Sequence, residues 1–183
     1  MKTQRPFVKP YVETLGDVMM NRPFLQFKVE DTLSDILGRM ASQGEKTAGV
    51  VDSNGNLVGM LTESNIMRRV LPRLKKWPSS LENLHKHKAV SGLIACDLMI
   101  AQPDSLHVDD AVEDALDVMT YLSHQYMPVT DGQKKLAGIV SFDELRSCIE
   151  KKYGALKSLD DPISLFMIQQ KLHDLNLGYS HTY

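Results

Sequence analysis

Few groupings in this chain have the residue types and spacing for chemistry. His85 and His87 stand two apart in Leu84-His-Lys-His-Lys88. No other Cys, His or carboxylate lies at recognised ligand spacing, and the intervening Lys86 opposes a cation, so they read as surface histidines. Arg68, Arg69, Arg73, Lys75 and Lys76, with Trp77, form a basic stretch with one aromatic. Some nucleic-acid binders use such a stretch, but in a chain of net charge −2 it reads as a solvated linker or docking surface. Ser141-Phe-Asp-Glu144 has the form of a capping box, in which hydroxyl and carboxylate satisfy the free N–H groups of a helix start. No Ser-His-Asp or Cys-His arrangement, phosphate-cradling glycine loop or paired-carboxylate site is present, and catalysis is not expected.

The bulk composition agrees with that restraint. In 183 residues, 43% hydrophobic and 24% charged, there is enough chain for one compact domain or two small ones without a metal or disulfide staple. Cys96 and Cys148 are far apart and lack CxxC spacing, and are expected as two buried thiols in a reducing cytoplasm. The first ten residues, broken by Arg5, Pro6, Lys9 and Pro10, lack the apolar run of a signal peptide. Nowhere do 18 apolar residues follow one another, so no membrane span is expected.

The elements that would position any site come in duplicate. A shift of 79 to 80 residues aligns Asp17/Asp97, Met19/Met99, Pro23/Pro103, Val29/Val108, Asp31/Asp110, Asp52/Asp131, Leu57/Leu136 and Gly59/Gly138 as identical pairs. Each copy must then be one supersecondary unit packed on the other, with two equivalent clefts about a pseudo-twofold axis. In the first copy a short helix is expected at about 14–20 and a strand at Phe24–Phe27. A helix follows with the apolar stripe Leu33, Ile36, Leu37 and Met40, ended by Gly44. Strands at 47–52 and 57–61 flank an Asn-Gly turn, and a last helix runs from Thr62 until Pro72 stops it. In the second copy Ser105–His107 is the short strand and Val112, Ala115, Leu116 and Met119 form the stripe. Met127–Thr130 and Leu136–Val140 pair, and Ser141 to about Lys152 closes the unit. Two strand–helix–strand–strand–helix units make an α/β fold. An N-terminal arm at 1–13 precedes units at 14–71 and 96–152, which are joined by a connector at 72–95. A C-terminal extension at 153–183 carries a helix at 163–177 with Asp161 as N-cap and the apolar face Leu165, Ile168, Leu172 and Leu175.

This duplicated unit resembles the CBS domain, and the pair resembles a CBS tandem, or Bateman module, over about residues 14–152. The resemblance rests on Val18-Met19 and Leu98-Met99 ahead of the copies and on Met127-Pro-Val-Thr-Asp131. It rests also on Gly59-Met-Leu-Thr62 and Gly138-Ile-Val-Ser141 leading into the last helices. It implies a regulatory protein, usually dimeric, that binds AMP, ADP, ATP or sometimes S-adenosylmethionine in the clefts between repeats.

The family's ligand signature is Thr or Ser at the end of the last strand with Asp three residues on. The hydroxyl and free helix N–H groups hold phosphate, and the carboxylate accepts from the ribose hydroxyls. Here the copies read Thr62-Glu-Ser-Asn65 and Ser141-Phe-Asp-Glu144, and neither has the Asp. Asn65 keeps the size without the charge; Glu144 keeps the charge at greater length, and its capping-box role stands as the other reading. The resemblance places the adenine side at Gln26, Phe27, Ala48 and Gly49 in the first copy, and at Ser105, Leu106, Tyr126, Met127 and Pro128 in the second. Tyr126 is read as stacking on a base or simply packing, and Arg68 as reaching a phosphate or facing solvent. The expectation is a cytoplasmic, homodimeric adenosine-ligand sensor without enzyme activity, acting on a client protein. Its alternatives are a ligand-free dimerisation scaffold and an S-adenosylmethionine binder.

Overall fold

The computed structural model describes residues 13–20, 22–74 and 88–156, with side chains as far as Lys152. The connector's Lys75, Lys76, Trp77, His85 and His87 and the expected helix at 163–177 lie outside the described residues.

Each unit is built by the same local rules. Helix α1 (Leu15–Met19) leads into strand β1 (Gln26–Lys28), helix α2 (Leu33–Gln43), strands β2 (Thr47–Val51) and β3 (Leu57–Thr62), and helix α3 (Glu63–Val70). Thr32 caps α2 by accepting the Asp35 N–H at 3.2 Å. Leu33, Ile36 and Met40 are buried along one face, and Gly44 ends the helix at φ +68°, a left-handed position that a side chain resists. The second unit repeats the order with α4 (Ala95–Leu98), β4 (Ile100–Ala101), β5 (Leu106–His107), α5 (Val112–Leu122), β6 (Tyr126–Thr130), β7 (Leu136–Ser141) and α6 (Phe142–Leu156). β1 and β2 pair in parallel and β2 and β3 antiparallel; β5, β6 and β7 follow the same pattern.

Each short helix packs on the repeat it does not precede in the chain. Leu15 and Met19 of α1 are buried in the second unit's core with Leu116, Met119, Val140 and Leu145. Ala95 and Leu98 of α4 are buried in the first unit's core with Ile36, Leu61 and Ile66. Backbone bonds fix both exchanges. The Gly16 N–H donates to the Val108 carbonyl at 2.8 Å, and the Cys96 N–H to the Val29 carbonyl at 3.0 Å. The sheets also meet directly. The Leu57 N–H donates to the Lys134 carbonyl at 3.1 Å, and Gly49 on β2 lies under the side chain of Leu136 on β7.

The structure departs from the sequence reading at several points. The first sheet has a fourth strand, β4, antiparallel to β3, that the period-2 pattern could not reveal because only two residues pair. Helix α3 ends at Val70 and continues as a 3₁₀ turn at Leu71–Arg73, with Pro72 inside the turn where its missing N–H costs nothing. The strand expected at 24–27 forms at 26–28, and α6 continues past Lys152. Of the two thiols expected to be buried, Cys96 is exposed on α4 and Cys148 is half-buried on α6, and both are free. Burial raises the Cys148 thiol pKa above its ordinary value.

Candidate functional site

Two clefts lie where a strand ends and the last helix of a unit begins, and each is completed by the opposite unit. The first has a volume of about 750 Å³. Its floor is the β3–α3 junction. Thr62 has extended backbone, and its Oγ1 accepts the Asn65 N–H at 3.1 Å and lies 2.9 Å from Ser64 Oγ. Arg68, one turn beyond Asn65, and Lys46 bring two cations to the same cleft, and neither forms an ion pair among the described residues. Met60, Ile100, Pro103, Tyr126 and Pro128 supply an apolar wall. Ile100 is 42% exposed, one of the few large apolar side chains so exposed among the described residues. On the rim, His124 stands 3.6 Å from the Asp104 carboxylate. A helix start with its capping hydroxyl, two cations and an apolar wall can take a phosphate at one end and a flat apolar group at the other.

The second cleft follows from the first by the repeat shift, but only about 140 Å³ of it is open. Ser141 and Glu144 occupy the places of Thr62 and Asn65 at the start of α6. The Glu144 Oε2 accepts from the Ser141 N–H at 3.0 Å and from its Oγ at 2.8 Å, and the Glu144 N–H donates to that Oγ at 3.3 Å, a complete capping box. The other oxygen, Oε1, is ion-paired with Arg22.

The structure gathers Thr62, Asn65, Arg68, Tyr126 and Pro128 at the first cleft and Ser141, Glu144 and again Tyr126 at the second. It does not bring the remaining site candidates to either. Phe27 and Ala48 are buried in the first core, Leu106 and Met127 in the second, and Gly49 is covered by Leu136. Gln26 and Ser105 are exposed but line neither cleft. The physical reason is the crossing. Part of each cleft's wall comes from the opposite unit's connection ahead of its short strand, so Ile100, Gln102 and Asp104, and at the second cleft Arg22 and Phe24, went unnoticed, as did Lys46, Glu45 and Thr47 from the α2–β2 junction of the first unit. One signal could have found them: the identical pair Pro23/Pro103 lines both clefts.

A family model described as the CBS domain matches residues 15–72 and again 94–151, well over half of the chain. The chain belongs to the CBS domain family. As a CBS pair it is of a regulatory class. Among solved structures, the CBS-pair protein CBSX2 from Arabidopsis thaliana is 24% identical, with TM-score 0.60, covering 78% of this chain and 98% of its own. A structure of CBSX2 in complex with AMP is 23% identical, with TM-score 0.59, covering 76% of this chain and 98% of that one. The CBS domain of a CBS domain containing membrane protein from Sphaerobacter thermophilus is 26% identical, with TM-score 0.59, covering 73% of this chain and 86% of that one. No curated protein matches the sequence. In the described part of this CBS pair, no helix is long and apolar enough to cross a membrane.

Proposed function

We propose that this CBS pair is a sensor for an adenosine-containing ligand of the AMP, ADP or ATP type, held in the first cleft. The observation that carries the reading is the content of that cleft. Thr62 stands at the start of α3, two cations without ion-pair partners among the described residues, Lys46 and Arg68, lie beside it, and an apolar wall with Tyr126 faces them. Phosphate would sit at the helix start and the cations, the base against the apolar wall, and Asn65 within reach of the ribose. The presence of AMP in a structure of CBSX2, a protein of the same fold, supports the ligand class.

Because the cleft takes groups from both units, a ligand there touches both and favours one relative arrangement of them. The shift cannot exceed the ligand's differential affinity for the arrangements. That shift is the signal read by a client protein, and the protein acts as a homodimer in the cytoplasm. Titration calorimetry with AMP, ADP, ATP, S-adenosylmethionine and GTP tests the reading. An adenine nucleotide should bind, GTP should not, and Arg68→Ala should weaken binding about tenfold, the scale of a lost hydrogen bond to a charged group. No heat with any adenosine compound, or an affinity indifferent to Arg68→Ala, would point to a ligand-free scaffold instead.

A further inference from the structure

The two clefts are equivalent in the repeat but opposite in content. Where the first has Asn65 the second has Glu144, and where the first has Gln102 the second has Arg22. Two neutral amides have become one carboxylate and one guanidinium, and these two charges meet inside the second cleft. Glu144 thereby commits both oxygens, Oε2 to Ser141 and Oε1 to Arg22, while Arg22 is held by a group of the same chain. The space left is about 140 Å³, against about 750 Å³ in the first cleft, and small-molecule sites usually need some 300 Å³ or more.

We infer that the Arg22–Glu144 pair is an internal latch that keeps the second cleft shut, so that the chain holds one ligand molecule and holds it in the first cleft. Arg22 lies in the segment between α1 and β1, and Glu144 lies on α6. The latch therefore ties the lead-in segment of the first repeat to the closing helix of the second. The ligand class in this inference rests on the proposed function; the latch itself does not.

The variant Arg22→Gln/Glu144→Asn/Ser147→Arg gives the second cleft the first cleft's amides at those two positions and a counterpart of Arg68. Calorimetric titration with AMP and ATP should count one site per chain in the native protein and two in the variant. The reverse exchange, Asn65→Glu/Gln102→Arg, should abolish the native site. A double-mutant cycle with Arg22→Gln and Glu144→Gln, read by urea unfolding without ligand, tests the latch independently, since Gln at 144 still accepts the cap hydrogen bonds. The pair should be coupled by about threefold or more in the unfolding equilibrium, beyond the roughly twofold scatter of independent sites. Coupling with no nucleotide binding to the native protein would overturn the sensor reading and leave the latch standing. Additive single variants would overturn the latch. So would two sites in the native protein, a count that the first exchange fails to raise, or native binding lost with Arg22→Gln.

Discussion

The seam between the two sheets includes one especially close approach, and adding a single methyl group there should loosen the module. A Cβ on Gly49 would lie 2.2 Å from Leu136 Cδ2 and 3.3 Å from both Cγ and Cδ1. Carbon atoms prefer about 3.5–4.0 Å, so the Leu136 methyl must retreat by roughly 1.3 Å within a buried position. Overpacking of this kind costs about 1–3 kcal/mol, and the lower chain entropy of Ala in the unfolded state returns about 0.4–1 kcal/mol. Gly49→Ala should therefore destabilise by about 1–2 kcal/mol, a fall in Tm of roughly 2–8 °C for a chain of this size. Leu136→Ala alone should cost about 2 kcal/mol or more through the cavity it leaves. The two together should cost about 1 kcal/mol less than their sum, because the new methyl enters that cavity. Urea unfolding followed by far-ultraviolet circular dichroism measures all three. A neutral or stabilising Gly49→Ala, or strictly additive costs, would refute the argument that Leu136 closes this seam.

Thr62→Val removes the α3 cap and should cost about 1 kcal/mol in unfolding experiments while weakening nucleotide binding, whereas Thr62→Ser should retain both. Asp52 is held below its ordinary pKa by the Asn56 side-chain amide and then by backbone N–H groups, and Asp131 by the Lys135 and Gln133 N–H groups. A carboxyl depressed in the folded state contributes stability above its unfolded pKa of about 4, and that contribution disappears as pH falls through the folded value. Thermal unfolding between pH 5 and 2.5 should therefore show a shallower acid decline in Asp52→Asn and Asp131→Asn. The exchange of short helices predicts a pattern of coupling: Leu98→Ala should be non-additive with Ile66→Ala, its partner in the first core, and additive within about 0.5 kcal/mol with Leu145→Ala in the other. The opposite pattern in denaturant titrations would place α4 on the wrong unit.

The duplication made most of the architecture legible, because its identical residues perform identical local tasks. Asp31 and Asp110 accept the N–H groups of Lys28 and His107 at 2.9 and 2.7 Å, and Asp52 and Asp131 pin the hairpin turns. Asp17 and Asp97 accept from Thr14 and Ile94 at 3.0 and 3.1 Å. These are caps and turns, local in sequence, which is why one sequence displays them. The crossings were not legible. Leu15 and Leu98 read equally well as members of their own repeats, since burial against a distant segment leaves no mark on local spacing. The adenine side was expected at strand residues such as Phe27 and Met127 through their backbone groups; their side chains serve the cores. The pairing of Arg22 with Glu144 joins positions 122 residues apart and follows no periodicity.

The exchanged helices also set an order on synthesis. Leu98 completes the first core soon after that repeat has emerged, so the first repeat can close while the second is still being made. Leu15 and Met19 emerge before the rest of their core, which includes Ile149, about 130 residues later. At about 5–20 residues per second, that leaves an apolar helix without its pocket for about 7–26 s on every nascent chain. The first of the described helices is thus buried long after it is made. Conditions that stall translation between Leu98 and Ile149 should leave a folded first repeat with the apolar face of α1 still uncovered, a form for which chaperones would compete.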